Sequence, residues 1–227
     1  MKQFMVAAAI GFAVSANASA SLVAGWTIST AVPAATTGSN YTYGGADQGD
    51  AAAGTVLSGF HAAAAATWSS PSGNGSTFSL SSNNWAIGDY YQVSVSTTGY
   101  SDISLTFDQT RSGTGPATFD VLMSVDGGAN FTTLLAGYSV IQAGLAGSGT
   151  LSWSAAGAYQ TAFTTTILSI AGASEQSSVI FRISSAVATA AAGTNRIDNI
   201  NVYSGPVPAP GAIALLGLAG LAGRRRR

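Results

Sequence analysis

Residues 90–125, which read YYQVSVSTTGYSDISLTFDQTRSGTGPATFDVLMSV, decide the fold. Apolar and polar residues alternate through three stretches of this segment, and a period of two indicates a half-buried strand. The apolar sets are Tyr91/Val93/Val95, Ile103/Leu105/Phe107 and Phe119/Val121/Met123/Val125. Clusters rich in Gly, Ser and Thr at 98–101 and 112–116 separate the stretches and predict turns. The segment therefore predicts three short strands joined by tight connections.

Further short strands are predicted on both sides of this segment. They are Leu22–Ile28, Tyr41–Tyr43, Phe131–Leu135, Phe163–Ile170, Val179–Ile183 and Arg196–Tyr203. The Ala run at 62–66 is too short to stand alone as a helix, so residues 56–68 are interpreted as a loop or turn. Short strands with close turn signals indicate an all-β, jelly-roll-like antiparallel β-sandwich over residues 21–204. The last strand is expected to pair near the first.

Residues 1–20 are typical of a secretory signal peptide. Lys2 supplies the positive charge, and residues 4–14 form an apolar stretch that is too short for an ordinary membrane span. Ala18-Ser19-Ala20 is a small-x-small cleavage site, and Ala16-Asn17-Ala18 competes with it. We therefore expect the Sec export machinery to translocate the chain, with cleavage after Ala18 or Ala20.

Residues 205–227 combine a Pro-rich motif, an apolar run and a basic cluster. In order they are Val207-Pro208-Ala209-Pro210-Gly211, the run GAIALLGLAGLAG at 211–223, and Arg224-Arg225-Arg226-Arg227. As a helix the run would reach roughly 20 Å, against a hydrocarbon core about 30 Å thick. It predicts a short C-terminal transmembrane helix. Arginines stay on the cytoplasmic side, so the body is expected to lie outside, anchored in the membrane during transit.

This tail resembles the PEP-CTERM sorting signal of bacterial surface proteins. In that family a Pro-Glu-Pro motif precedes a transmembrane stretch and a terminal arginine cluster, and the same three parts stand here in the same order. The departure is Ala209, where the family has Glu. The resemblance implies a partner, an exosortase, which is a membrane transpeptidase that cuts near the motif and passes the protein to the cell surface. A plain C-terminal anchor remains the alternative, and whether Ala209 permits processing is open.

The body also resembles that of many PEP-CTERM proteins over about half its length. The matching pieces are 57–61 (LSGFH), 83–85 (NNW), 88–91 (GDYY), 107–111 (FDQTR), 115–119 (GPATF), 124–128 (SVDGG) and 196–200 (RIDNI). This resemblance implies an extracellular jelly roll similar to carbohydrate-binding sandwiches. It brings no assigned activity.

The predicted mature body is acidic and lacks cysteine. Only Arg111, Arg182 and Arg196 remain in residues 21–206, against all nine acidic residues, so its formal charge is 3 − 9 = −6. Nucleic-acid binding needs a basic footprint, and that function class is excluded. An exported domain without disulfides must be held by its core alone.

Catalytic candidates are few. The chain has one histidine, His61, and neither a cysteine nor a Gly-x-Ser-x-Gly elbow, whereas a hydrolytic triad needs a base beside its nucleophile. We interpret His61 as a loop histidine bonded by the backbone. No catalytic residue is predicted.

Carboxylates are the other catalytic candidates, because glycoside hydrolysis needs two of them at a set separation. Four are close in sequence: Asp102, Asp108, Asp120 and Asp126. Asp108 and Asp120 occupy outward positions of strands, where solvation or pairing with Arg111 is the ordinary expectation. A polysaccharide-active enzyme is therefore ranked below a binding role.

Two oxygen-rich stretches suit Ca²⁺, which prefers several carboxylate and carbonyl ligands. Asp126 opens the run DGGAN, and Asp198 precedes Asn199. Asp-Gly is also a hairpin signal on its own, so turn chemistry is the favoured interpretation and no cofactor is predicted.

Sugar binding rests on exposed aromatic rings beside polar side chains. The aromatic residues in or near predicted turns are Trp68, Trp85, Tyr90, Tyr100 and Trp153. We predict a glycan platform from Trp68, Trp85, Tyr100 and Trp153, whereas Trp26 and Phe119 are assigned to the core.

The sequence thus leaves three interpretations of function. The first is a non-enzymatic exported protein of the cell surface or extracellular matrix, processed by an exosortase-type system and working within extracellular polysaccharide. The alternative is a lectin-like carbohydrate-binding module. The third is a polysaccharide-active hydrolase.

Overall fold

The structure is a computed structural model, and it describes residues 20–144 and 151–205. Both the signal-peptide cleavage residue Ala18 and the sorting motif Val207–Gly211 with its arginine cluster lie outside the described residues. Ala20 is the first described residue and precedes the first strand directly.

Twelve strands make up the body within these ranges. They are β1 Ser21–Trp26, β2 Asn40–Gly44, β3 Val56–Phe60, β4 Trp68–Ser69, β5 Leu80–Ser82, β6 Tyr90–Val95, β7 Ile103–Arg111, β8 Thr118–Ser124, β9 Thr132–Ser139, β10 Thr164–Ile167, β11 Val179–Ser185 and β12 Asn195–Ser204. A single turn of 3₁₀-helix, Thr161–Phe163, precedes β10. The described residues include no helix long and apolar enough to cross a membrane.

The strands form two antiparallel six-stranded sheets, and this arrangement is the predicted all-β sandwich. One sheet has the order β10-β7-β12-β5-β4, with β1 also paired to β12, and we call it the roofed sheet. The other has the order β2-β3-β6-β11-β8-β9, and we call it the open sheet. The first and last strands pair antiparallel, with Ser21 opposite Ser204, as the sequence predicted.

The core lies between the sheets and is built from the inward halves of the alternating strands. Burial alternates residue by residue along β6 and β8, because one face of each strand meets the core and the other meets solvent. The largest fully buried side chains are Trp26, Trp68, Trp85, Tyr91, Phe107, Phe119 and Phe181. The assignment of Trp26 and Phe119 to the core is confirmed.

The prediction of a loop over residues 56–68 was wrong at both of its ends. Val56–Phe60 forms β3, which lies between β2 and β6 in the open sheet, and Trp68 begins β4. Close packing explains why the sequence of β3 contains a glycine that interrupts its strand pattern. A Cβ on Gly59 would lie 2.4 Å from the ring of Trp68. Only glycine lets this strand pass the indole, and the Ala run between the two strands is a loop, as predicted.

Candidate functional site

The outer face of the open sheet carries two cross-strand rows of outward side chains. One row is Phe60, Tyr90, Ser184 and Asp120, on β3, β6, β11 and β8 respectively. The next row is Ser58, Gln92, Arg182 and Leu122, on the same four strands. Directly opposite residues on one face lie within about 5.5 Å at their Cβ atoms. The face therefore places aromatic, guanidinium, amide and hydroxyl groups side by side.

Four of these groups stack into a continuous series, which we call the stripe: Phe60, Tyr90, Arg182 and Phe131. The rings of Phe60 and Tyr90 are stacked, with centroids 5.5 Å apart. The guanidinium carbon of Arg182 lies 3.9 Å from the Tyr90 centroid and 4.0 Å from that of Phe131. Such cation–π contacts stabilise the arginine by about 0.5–2 kcal/mol each, depending on desolvation. All four side chains are half-buried, so their edges reach solvent.

Arg182 is held in one orientation. Its Nε and Nη2 donate to Gln92 Oε1 at 3.0 and 2.8 Å. Nη1 has no partner among residues 20–144 and 151–205, although a guanidinium has five N–H donors in all. Burial lowers the pKa of Arg182, but an arginine remains charged at any physiological pH. The stripe therefore presents a fixed, charged donor group between two ring walls.

The glycan platform predicted from sequence was wrong for its three tryptophans. Trp68 and Trp85 are 1% and 2% exposed, and both pack in the core. Trp153 is 7% exposed and stacks edge-on against Phe163. Tyr100 is half-buried and packs against the core from a turn. Tyr90, the fifth aromatic residue near a predicted turn, begins β6 and belongs to the solvent-facing stripe.

The outer face of the roofed sheet differs, because two loops cover it. We call residues 71–79 and 151–163 the roof. Beneath it, Asp108 of β7 and Asp198 of β12 stand directly opposite each other in register, and we call them the acid pair. Both are 0% exposed. The prediction that Asp108 is solvated or paired with Arg111 was therefore wrong: Arg111 donates instead to the Val140 and Ser112 carbonyls.

Asp108 accepts hydrogen bonds from side chains of the roof, β10 and β12. Every contact of Asp108 comes from a donor: Asn74 Nδ2 at 3.0 Å and Asn199 Nδ2 at 2.8 Å reach Oδ2, while the hydroxyls of Thr164 and Tyr159 lie 2.6 and 3.1 Å from Oδ1. A carboxylate that accepts on all sides is stabilised in its ionised form. Burial nevertheless raises the pKa of Asp108, against the opposing effect of these hydrogen bonds.

Asp198 also accepts hydrogen bonds, from the roof and from its own strand. The Ser76 hydroxyl lies 2.9 Å from the Phe78 carbonyl oxygen and 2.6 Å from Asp198 Oδ2. Two backbone N–H groups donate as well, Asn74 N to Oδ2 at 2.9 Å and Asn199 N to Oδ1 at 2.8 Å. Burial raises the pKa of Asp198 to about 7, and the charge on Asp108 adds to the rise. The charge on one of two neighbouring carboxylates disfavours the ionised form of the other.

His61 lies in a third polar cluster, inside the core. Its Nδ1 is 3.0 Å from Asp89 Oδ2, and its Nε2 is 2.9 Å from Ser82 Oγ. The edge-on rings of Trp68 and Trp85 enclose the imidazole. Serine, histidine and aspartate are thus connected in the order of a hydrolytic triad, but all three are 0–1% exposed. Burial lowers the pKa of His61, against the opposing effect of Asp89.

The remaining predicted acids do not converge. Asp120 lies on the open sheet, Asp108 lies under the roof, and Asp102 is in a turn with φ of 52°. Asp126 closes the β8–β9 hairpin: its carboxylate accepts from Ser124 Oγ at 2.7 Å and from Asn130 N at 3.0 Å. These hydrogen bonds, led by the one from the Asn130 backbone, lower its pKa to about 2. The turn interpretation of Asp126 is confirmed.

Neither calcium candidate gains further acidic ligands. Asp198 has one acidic neighbour, Asp108, and Asp126 hydrogen-bonds only within its own hairpin. Within residues 20–144 and 151–205, no group of three or more His, Asp or Glu side chains is placed to hold a metal ion.

The sequence contains a signal for the stripe, although no prediction used it. Tyr90 and Arg182 occupy the outward phase of strands whose inward phase is plainly apolar, Tyr91/Val93/Val95 and Val179/Phe181/Ile183. An aromatic ring or an arginine in the polar phase of a strand points away from the core. The pairing register of β6 with β11 was needed to bring the two together, and one sequence does not supply it.

Comparison with solved structures finds similar β-sandwiches. The K3 cleaved adhesin domain of Lys-gingipain from Porphyromonas gingivalis w83 is 16% identical, with a TM-score of 0.44 over 82% of this chain and 99% of that domain. The xylanase 10B modules of Clostridium thermocellum, solved with xylohexaose, are 13% identical, with a TM-score of 0.43 over 83% of this chain and 29% of that one. A carbohydrate-binding module described for specific mannan recognition is 11% identical, with a TM-score of 0.38 over 83% and 100%.

No family model matches the sequence, and no curated protein matches it significantly. None of the structural similarities assigns a ligand or a residue role to this chain.

Proposed function

We propose that this chain is an exported surface protein whose sandwich binds a carbohydrate through the stripe on the open sheet. The observation that carries the proposal is the stack of three aromatic rings and one arginine on the solvent side of the sheet. This lectin-like role is the alternative interpretation of the sequence, and the geometry favours it over a purely structural body. The jelly-roll description of the sandwich belongs to the same proposal.

The stripe has the composition that a sugar site requires. Ligand sites combine apolar surface with a few placed polar groups that fix orientation. Here the ring edges of Phe60 and Tyr90 adjoin the Gln92 amide and the Ser58 hydroxyl. These polar groups can hydrogen-bond to the hydroxyls of a sugar, and the rings can pack against its C–H groups. A core explanation does not account for the stripe, because the four side chains face away from the core.

A non-enzymatic role is part of the proposal. The two arrangements that resemble catalytic groups, the Ser82–His61–Asp89 cluster and the acid pair, are each sealed from solvent. A glycosidase needs its carboxylates on either side of a bound sugar ring. Neither arrangement leaves room for one.

Binding is tested by titrating the exported protein, purified from its own cells, against a panel of soluble polysaccharides by affinity electrophoresis. We expect retardation by at least one polysaccharide, and we expect Phe60→Ala and Phe131→Ala to reduce it about tenfold or more. Stacking on an aromatic side chain contributes about 1–3 kcal/mol per nucleic-acid base, and a ring-to-sugar contact of similar strength corresponds to roughly fivefold to 150-fold in affinity.

Leu168→Ala is the matched control. Leu168 is 59% exposed and follows β10 of the roofed sheet, so its loss removes apolar surface away from the stripe. An equal loss of binding in the control, or no retardation by any polysaccharide, would contradict the proposed role.

Export and sorting form the second part of the proposal, and the sequence supports it. We propose that the Sec machinery exports the chain and that an exosortase-type transpeptidase reads the Pro208-Ala209-Pro210 motif. Intact-mass measurement of the native protein in membrane, surface and medium fractions tests both steps. A mature chain that begins near Ser21 and ends between Pro208 and Gly211 is the expected result. Retention of Arg227 in the membrane fraction would instead show a simple anchor.

A further inference from the structure

The inference rests on the proposed function and names the class of glycan. We propose that the stripe binds an acidic polysaccharide, with a sugar carboxylate on the free edge of the Arg182 guanidinium. The apolar ring edges and the hydroxyl and amide groups of the open face then meet the remainder of the same sugar unit.

The first support is that Arg182 is the cation of this face and has no anionic partner. The one ion pair within residues 20–144 and 151–205 joins His61 to Asp89 in the core. Asp120 shares the open face, but it stands opposite Ser184, and its Oδ1 accepts from the Gly137 backbone at 2.7 Å. The charge of Arg182 is thus left for a partner outside the chain.

The second support is the composition of the body. Nine acidic residues stand against three arginines in residues 21–206, so random placement would favour an acid beside any arginine. Arg182 is instead flanked by two rings and an amide, which partly desolvate it without neutralising it. Leaving a partly desolvated charge unpaired is unfavourable, and an anionic ligand removes that penalty on binding.

The third support is preorganisation. A guanidinium and a carboxylate form two parallel hydrogen bonds when the fork is correctly oriented. Gln92 and the rings of Tyr90 and Phe131 already fix the plane of Arg182. Little side-chain entropy remains to be lost on binding. The low-polarity walls also strengthen the attraction relative to an exposed arginine.

Long-range electrostatics do not produce this preference. A body of net charge −6 repels a polyanion at distances beyond the contact, so capture depends on the local site. An acidic chain is therefore expected to lose its whole advantage over the neutral ester when the local cation is removed, rather than to weaken in proportion to one charge of many.

The test compares acidic polysaccharides with their own methyl esters, which keep the sugar backbone and mask the carboxylate. The exported protein is titrated by isothermal titration calorimetry against polygalacturonate, alginate and hyaluronate, and against the esterified form of each. We expect at least one acid form to bind about tenfold or more tightly than its ester. We expect Arg182→Gln to reduce the acid form to the affinity of the ester, with the ester itself little changed.

Arg196→Gln is the matched control. Arg196 is also half-buried and also lacks a carboxylate partner among the described residues, but it lies on β12 of the roofed sheet. Arg196→Gln removes the same charge from the body. It is expected to leave the ratio of the affinities for the acid and the ester forms unchanged. Thermal unfolding of both variants checks that each is folded.

The outcomes separate the inference from the function on which it rests. Equal affinity for acid and ester, with both lost in Phe60→Ala, would overturn the acidic class and leave carbohydrate binding in place. No binding of any polysaccharide would remove the proposed function as well. Self-association of the native protein that Arg182→Gln abolishes, measured by light scattering, would show that a second copy occupies the face and would overturn the inference.

Discussion

The open sheet leaves a guanidinium and three aromatic rings in solvent, whereas the roofed sheet buries two carboxylates beneath loops. Both faces place polar groups on the outward side of strands, yet the burial differs completely: the acid pair is 0% exposed, and the stripe is half-buried. The comparison shows that a side chain on the outward face of a strand is not necessarily exposed to solvent. What covers the strand decides whether its polar groups carry stability or remain available for binding.

This division of roles makes the acid pair the place where a small chemical change has the largest effect. Asp198→Asn is expected to lower the free energy of unfolding by roughly 2–4 kcal/mol, because each oxygen of Asp198 accepts from a backbone N–H, and an amide N–H₂ in either place would face a donor. Asp108→Asn is expected to lower it by about 1–2 kcal/mol, because the hydroxyls of Thr164 and Tyr159 can accept from the amide N–H₂ while the amide oxygen still accepts from Asn74 and Asn199. Urea unfolding of the two variants measures the difference.

A reversed order, with Asp108→Asn the more damaging, would mean that the hydroxyls of Thr164 and Tyr159 cannot turn to accept from an amide. Both variants carry the same change from aspartate to asparagine at two positions in direct register. Each variant therefore serves as the control for the other.

The second prediction concerns pH and follows from the raised pKa of Asp198. The folded form holds a proton up to a pKa of about 7, while an unfolded aspartate releases it near the ordinary aspartate pKa of 3.8. The folded state therefore binds more protons in that window, and stability falls as pH rises through it. The fall attributable to this group is roughly 2–4 kcal/mol. Unfolding measured from about pH 4 to about pH 8 should show this fall in the native protein and a much flatter profile in Asp198→Asn.

The His61–Asp89 cluster contributes in the opposite direction, because burial lowers the pKa of His61 and its stabilising effect is lost as pH falls below the unfolded pKa near 6.5. The difference between the native and Asp198→Asn profiles removes this common contribution. If the difference does not change with pH, the proton assignment fails.

The smallest stability effects are predicted on the open face. Phe131→Ala and Arg182→Gln are each expected to lower the free energy of unfolding by about 1 kcal/mol, since the cation–π contacts that they remove lie on a half-buried surface away from the core. Both are expected to reduce glycan binding at the same time. Differential scanning calorimetry beside the binding titration checks this contrast, and a large destabilisation would identify the stripe as structural packing.

Much of the fold could be predicted from the sequence because the period-two pattern is local. It located the central strands β6, β7 and β8 and the pairing of the first strand with the last. It failed at β3, where Gly59 interrupts the pattern to make room for Trp68. Trp68 and Trp85 were wrongly predicted to form a surface platform, because a tryptophan beside turn residues gives no local sign of which way its ring points.

The candidate site was less predictable, because it depends on register. Asp108 and Asp198 are far apart in the sequence, and only the β7–β12 pairing places them opposite each other. The same holds for Gln92 and Arg182 across β6 and β11. A side chain's phase is readable from a single sequence, but its cross-strand neighbour is not.

The pairing of Ser21 with Ser204 also has a mechanical consequence. A pull applied to the chain beyond residue 205 enters β12, which lies inside its sheet with β7 on one side and β1 and β5 on the other. The strand would have to slide along its partners, so many ladder hydrogen bonds resist together in shear instead of opening one after another. If the body is attached by this end and binds its ligand on the opposite sheet, as proposed, tension passes across the core and does not unravel the chain from its terminus.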